Sequence, residues 1–273
     1  RVLIVVDGVR MNNAIYRSGH LQNSITIDPS NIQRAEVIFG SSSVGYGSDA
    51  MGGVIHYYTK NPILKNSEKI SSSFTTNFNS ANNSVSNNFN TNYSSENWGS
   101  ITSISVSKYG DIKMGKKRNH GYSDWGLTPI FSQNSRYKFY AEPSISSDEN
   151  IQKNTGYSQV DLFQKFLVNL GDSSLLNLNI QFSESSDIDR FDQLSIPKDN
   201  SLKYSEWYYG PQKRLLISPS LRVFPNKKFM DKGVITFGFQ KINESRVKRK
   251  FNSLNRSHQI EDLKVFSLNG DFD

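Results

Sequence analysis

Residues equipped for chemistry are few in this chain, and they are scattered. Four histidines stand at 20, 56, 120 and 258, and no two share a metal-ligand spacing such as H-x-x-x-H. There is no cysteine, so thiolate metal sites, disulfides and cysteine nucleophiles drop out together. The glycine-rich stretch from Gly40 to Gly53, with Lys60 beyond it, invites comparison with phosphate-binding loops. Neither G-x-x-x-x-G-K-S/T nor a dinucleotide fingerprint opening a helix is present, however. A serine hydrolase would need G-x-S-x-G at a strand-to-helix turn, and none occurs. The expectation is a protein that is not an enzyme, with no catalytic residues, no metal ligand set and no cofactor. What remains is recognition chemistry. Asn12, Asn13, Tyr16, Arg17 and His20 crowd one polar stretch and supply hydrogen-bond donors and a planar guanidinium. Arg34 and Glu36 stand two apart in a strand-like run and so share a face. His20 is the histidine best placed to touch a ligand. His56, in an apolar strand, reads as structural, and His120 and His258 read as solvated loop residues.

The elements that position these groups follow from composition and periodicity. Only 36% of the 273 residues are hydrophobic and the mean hydropathy is −0.56. Asn and Ser crowd the region from Asn66 to Asn97, which is too polar for an ordinary soluble core. No run of 18 or more apolar residues exists, which excludes a helical membrane span, but a transmembrane β-barrel escapes that test because its strands alternate. The net charge is +7. Its basic clusters, Lys113 to Arg118, Lys227-Lys228 and Arg246 to Lys250, lie between strand-like segments and so on separate loops. The run Arg246-Val247-Lys248-Arg249-Lys250 has no recognisable docking fold around it, so no nucleic-acid partner is expected.

Composition changes near Asn61-Pro62. Before it come an apolar strand from Val2 to Val6, an Asp7-Gly8 turn, a helix or turn start at Asp28-Pro29-Ser30, a strand over Glu36 to Phe39 and another from Val54 to Thr59. Together they make a small mixed α/β unit. Arg1, followed at once by the apolar run, leads to the expectation that the chain begins inside this unit. Beyond Pro62 the period becomes two: Ile70, Phe74 and Phe78, then Val85, Phe89 and Tyr93, then Trp98, Ile104 and Val106. Stronger alternation follows at Val160 to Leu170, Leu176 to Phe182, Leu215 to Phe224, Ile235 to Phe239 and Lys264 to Phe272. This makes about eight strands of about ten residues, the length a tilted membrane strand needs. Short turns are expected at Ser80 to Asn83, Ser94 to Asn97, Gly171 to Ser173 and Pro225 to Gly233. Long loops are expected over Tyr109 to Tyr157, Ser183 to Trp207 and Asn243 to His258. Tyr93, Trp98, Tyr109, Tyr157, Trp207, Tyr208 and Phe224 lie near strand ends, as interfacial girdles require.

Four pieces of the first sixty residues carry a resemblance. They are Val5-Val6-Asp7-Gly8-Val9-Arg10, then Ile27-Asp28-Pro29, then Ile32 to Gly40, and finally Tyr46-Gly47-Ser48-Asp49-Ala50-Met51-Gly52-Gly53-Val54-Ile55 with Thr59-Lys60. In this order they resemble the C-terminal part of the plug of TonB-dependent outer-membrane receptors. Weaker likeness extends through Tyr208 to Gln212, Glu244-Ser245-Arg246 and Phe266 to Phe272. The resemblance implies a mainly β fold: a partial transmembrane antiparallel β-barrel from 63 to 273 with a small mixed α/β plug from 1 to 62. It implies active import of an iron-siderophore, haem or cobalamin across the outer membrane of a Gram-negative bacterium. The partners would be the inner-membrane TonB complex, reached through a segment before Arg1, the small-molecule or haem ligand, and outer-membrane lipid and lipopolysaccharide. The stretch with Asn12, Asn13, Tyr16, Arg17 and His20 would face the substrate and lean toward the haem-receptor branch, while Arg34 and Glu36 would hold the plug through barrel-wall carboxylates. The competing function is a structural or adhesion barrel that transports nothing.

Overall fold

A computed structural model describes residues 2–11, 24–40, 43–171, 173–225 and 231–272. The first unit is a four-stranded sheet in the order β2-β1-β4-β3, built from β1 (Leu3–Val6), β2 (Val9–Arg10), β3 (Ile32–Phe39) and β4 (Gly53–Thr59). All four residues of β1 are buried, which is why its sequence is a continuous apolar run rather than an alternating one. β1 lies parallel to β4 and antiparallel to β2. Asp7 and Gly8 join β1 to β2 with both φ angles positive, +46° and +82°, the combination a two-residue hairpin turn matched to strand twist requires. The expected start at Asp28-Pro29-Ser30 is a short 3-10 helix, Pro29–Asn31, capped by the Asp28 carboxylate on the Ser30 amide. Gly53 is needed where β4 meets β3, because a Cβ there would lie 2.6 Å from the Ile38 carbonyl oxygen.

The second unit is a ten-stranded antiparallel sheet. Its long strands are β5 (Lys69–Asn79), β6 (Ser84–Ser94), β7 (Trp98–Tyr109), β8 (Tyr157–Asn169) and β9 (Ser174–Ser185). Two short strands, β10 (Ile188–Asp189) and β11 (Tyr204–Tyr209), precede β12 (Lys213–Val223), β13 (Gly233–Lys250) and β14 (Arg256–Phe272). The eight long strands are the ones the period-two pattern marks. One face carries Phe74, Phe89, Ile104 and Leu162 in cross-strand register, all exposed. The opposite face carries Ser103, Ser105, Asn90 and Asn179, all buried. A wall that is apolar outside and polar inside is what a lipid-spanning barrel strand requires, and it explains how a chain of such low hydropathy folds.

Connections sort by end. The connections from β6 to β7, β8 to β9 and β12 to β13 leave from one end of the sheet, and those from β5 to β6, β7 to β8, β9 to β12 and β13 to β14 from the other. The two successive short turns therefore belong to opposite ends. The long loop expected over Asn243 to His258 is corrected: β13 runs to Lys250 and β14 begins at Arg256, with Val247 paired to His258. Backbone pairing persists there because β11 replaces β12 as the partner of β13 beyond Asn243. The basic run is accordingly strand rather than loop. The girdle expectation splits. Tyr93 and Trp98 sit 4.3 Å apart on the outward face. Tyr109 and Tyr157, stacked at 4.6 Å, line an interior cavity instead, and Trp207 and Tyr208 are buried.

Candidate functional site

The plug unit sits on the inward face of the sheet, and its firmest contact is made by a residue the sequence presents only as half of a turn. The Asp7 carboxylate accepts from the Thr59 amide at 2.9 Å, from the Thr59 hydroxyl at 2.5 Å and from Asn179 Nδ2 at 2.9 Å. It also meets Lys165 Nζ at 3.1 Å, and Lys165 donates to Thr59 Oγ1 at 2.8 Å. Lys165 is 1% exposed. A buried ammonium is tolerable only when paired and hydrogen-bonded, and here the whole of its partner set comes from the plug. Around this centre Leu216 of β12 packs into the plug cluster of Ile4, Val6, Val9, Met11 and Ile27. Gln240 Nε2 donates to the Arg10 carbonyl at 2.9 Å. A Cβ at Gly238 of β13 would lie 2.9 Å from Val9, so glycine there permits close backbone approach.

A different interface faces β5 to β7. Asp28 accepts from the Ser105 hydroxyl at 2.6 Å, and Asn88 Nδ2 lies 2.8–3.0 Å from the hydroxyls of Ser30, Ser103 and Ser105. Beside this corner is a cavity of about 1050 Å³ whose lining includes Tyr57, Asn88, Asn90, Asn92, Tyr109 and Tyr157. His56, in β4, lines neither contact. Its Nε2 accepts from the Gly8 amide at 3.1 Å, its ring stacks on Tyr58, and burial pulls its pKa below the ordinary histidine value. The structural reading of His56 fits these contacts.

Asn12, Asn13, Tyr16, Arg17 and His20 lie outside the described residues. Nearest to them, Met11 is buried, and the Ile25 carbonyl is held by Gln159 of β8 at 2.7 Å. Arg34 and Glu36 are brought together on the exposed edge strand β3: Arg34 Nε meets Glu36 Oε1 at 3.0 Å, the guanidinium lies 4.0 Å over the Tyr58 ring, and Tyr58 donates to Glu36 at 3.0 Å. Among the described residues no wall carboxylate reaches them.

At the loop end, Glu206 is fully buried between Arg249, at 2.8 Å, and Arg256, at 2.6 Å. Beyond this triad opens a cleft of about 310 Å³ lined by Arg136, Tyr137, Lys138, Phe139, Arg249 and Arg256, with Leu254 and Ser135. Phe139 packs on the Arg249 guanidinium at 4.6 Å. Since Glu206 compensates only part of this charge, the cleft is a cationic surface with exposed aromatic rings, suited to an anion that is also planar or aromatic.

Residues 1–54 match the family model described as the TonB-dependent Receptor Plug Domain. The first 54 residues belong to the plug family of the TonB-dependent receptors. It is 47% identical over 58 residues to a hemin receptor of Yersinia enterocolitica, a match covering 21% of this chain and 8% of that protein. It is 40% identical over 85 residues to the heme/hemopexin utilization protein C of Haemophilus influenzae, covering 30% of this chain and 11% of that one. The solved structure of a single-site variant of the ferric enterobactin receptor PfeA of Pseudomonas aeruginosa shares the fold, with a TM-score of 0.66 at 16% identity, covering 99% of this chain and 38% of its own. The receptor chain thus spans a small part of the curated relatives it matches, and it is an outer-membrane chain of a Gram-negative bacterium. Sequence reasoning missed the Asp7–Lys165 pair and the cationic cleft in this receptor. For the pair a signal existed: Lys165 stands at an inward position of β8, where a lone charge requires a partner. For the cleft there was none, because Arg136 and Lys138 are brought to Arg249 only by the path of the loop from 110 to 156.

Proposed function

We propose that the full receptor imports an anionic, iron-bearing planar ligand across the outer membrane. The observation that carries this reading is the cationic, aromatic cleft at the loop end of a wall whose inner face holds a plug. Arg136, Lys138, Arg249 and Arg256 offer charge to carboxylate or catecholate groups, and Tyr137 and Phe139 offer faces to a conjugated ring system. Haem and ferric catecholates share that chemistry, and the names of the Yersinia and Haemophilus relatives favour haem. In the same proposal the plug occupies 1–62 and the barrel 63–273, and Asn12, Asn13, Tyr16, Arg17 and His20 meet the ligand below the cleft. Arg34 and Glu36 meet wall strands beyond those described. The inner-membrane TonB complex supplies the force that moves the plug, and lipid and lipopolysaccharide surround the outer face.

Haemin titration of the purified full-length receptor tests this directly. A Soret shift that weakens at least tenfold in affinity with Arg136→Ala plus Lys138→Ala, and that changes position with His20→Ala, is the expected result. Absence of any shift with haemin, together with tight binding of a ferric catecholate, reassigns the cargo. Absence of TonB-dependent accumulation of either compound by cells ends the import reading in favour of an adhesion or structural barrel.

A further inference from the structure

The plug is held to its wall unequally, and the inequality has a direction. On the side of β9, β12, β13 and the inner half of β8, the contact is the desolvated Asp7–Lys165 pair, the seating of Leu216 in the plug core and the approach of Val9 to Gly238. Separating these surfaces strands a buried ammonium and exposes apolar groups. Facing β5, β6, β7 and the outer half of β8, the contact is a set of hydrogen bonds at the Asp28–Asn31 corner, from the Asn88 amide to Ser30 and from the Ser105 hydroxyl to the Asp28 carboxylate. Asp28 and Ser30 line the adjoining cavity, so water can rehydrate the carboxylate and the hydroxyls once they part. Space already exists on that side: the cavity of about 1050 Å³ reaches from the Tyr109–Tyr157 pair, at the loop end, down to Tyr57 and Lys60 of the plug. Its volume is that of a site for a ligand the size of a drug or cofactor. Asn90, 6% exposed, lines it with an Nδ2 that has no hydrogen-bond partner among the described residues, a donor left for an acceptor.

We infer that the transit path of this receptor runs along the β5–β8 wall, where the cargo exchanges hydrogen bonds with serine and asparagine side chains, while the Asp7–Lys165 side stays docked as the hinge on which the plug turns. This rests on the import reading above and adds to it the side of the plug that opens. The path can hand a cargo's carboxylates along amides and hydroxyls, with Asp28, Lys60 and Asp161 the charged residues of its lining.

This chain has no cysteine, and with any cysteine elsewhere in the full-length receptor replaced by serine, engineered disulfides give a clean test in cells. Ser30→Cys with Ser105→Cys, whose hydroxyls lie 3.2 Å apart, ties the plug to the path side. Val9→Cys with Gly238→Cys ties it to the hinge side, where a Cβ at 238 would stand 2.9 Å from the Val9 branch, close to the reach a disulfide spans. Haemin-iron accumulation is measured for each pair after oxidation and again after reduction. The expected result is a loss of at least tenfold for the oxidised Ser30/Ser105 pair, with the oxidised Val9/Gly238 pair within about twofold of its reduced form. Equal block by both bonds, or passage through the first, overturns the inference. Should even the unaltered receptor accumulate no haemin, the import reading for that cargo fails by itself, and a second measurement still decides the path. A cationic methanethiosulfonate reagent added outside reacts with Asn90→Cys at least tenfold faster than with Ser218→Cys of the hinge side if the path is where we place it. Equal rates overturn it.

Discussion

Along the inner half of β8 and across β9, β12 and β13, plug meets wall through a buried ion pair and close-packed apolar groups. Along β5 to β7 the same plug meets the same sheet through serines and asparagines beside open space. Both interfaces are polar at their centre, yet they do opposite work. A charge pair removed from water is weak as net stabilisation but costly to break from one side, since the surviving partner stays buried. It therefore fixes position. Hydroxyl and amide contacts next to a cavity, including the one to the Asp28 carboxylate, have water as a ready substitute, so they exchange more easily. One plug thus has a fixed side and a yielding side, and the difference lies in whether the groups left behind can be rehydrated.

The largest expected effect comes from breaking the fixed side at its acidic centre. Asp7→Ala leaves Lys165 with only the Thr59 hydroxyl, and it should cost about 3–5 kcal/mol of plug docking, read as loss of hydrogen-exchange protection in β1 and β4 of the full-length receptor. Lys165→Met should cost clearly less, because Asp7 keeps the Thr59 amide, the Thr59 hydroxyl and Asn179. A larger loss for Lys165→Met than for Asp7→Ala would reverse the assignment of which group is the anchor. A contrast lies at the loop end, where Asp189 is half-buried and meets no counter-charge among the described residues. Its pKa is pushed up to about 7, first by burial and then by Asp187, Asp111 and Glu206. The folded state therefore holds a proton the unfolded chain has lost, and this group's contribution to stability falls as pH rises from about 4 to about 7 and is level above that. Asp189→Asn should match the parent below pH 4 and exceed it by about 2–4 kcal/mol at pH 8, measured by thermal unfolding across pH. A variant no more stable at pH 8 than the parent would show that Asp189 has a partner there. Gly238→Val, which forces a branched side chain against Val9, should cost about 1–3 kcal/mol by overpacking, again read from exchange protection in β1.

How much of this was readable beforehand depends on the range of the interactions. The four plug strands, the Asp28 cap and the eight long wall strands are local matters: an apolar run, a Pro after an Asp, a period of two. All of these stand in the sequence, and so does the family signature from Val5 to Ile55. The failures are tertiary. Arg246 to Lys250 looked like a loop because charges in a row mark solvent, but Arg249 is buried by Glu206, over forty residues away. Tyr109 and Tyr157 looked like lipid-interface aromatics because they end strands. Parity, counted from Ser103 and Ser105, turns both inward. Asp7 was legible as a turn former, through its Asp-Gly dipeptide, and illegible as an anchor, because its wall partners at 165 and 179 reach it only by the docking of plug on wall.

The smallest effect is the one that tests the yielding side most sharply. Asn88 Nδ2 touches three serine hydroxyls, and by count of contacts it resembles an anchor as much as Asp7 does. Its loss leaves Ser30 and Ser105 still donating to Asp28, at 2.7 and 2.6 Å, while the adjoining cavity admits water to the space the amide vacates. Nothing charged is stranded and no apolar surface is uncovered. Asn88→Ala should therefore cost no more than about 1 kcal/mol, with exchange at the Ser30 and Asn31 amides quickened by less than about tenfold and β1 and β4 untouched. A cost comparable with that of Asp7→Ala would mean that the wall holds the plug evenly all round, and the distinction between a hinge side and a path side would go with it.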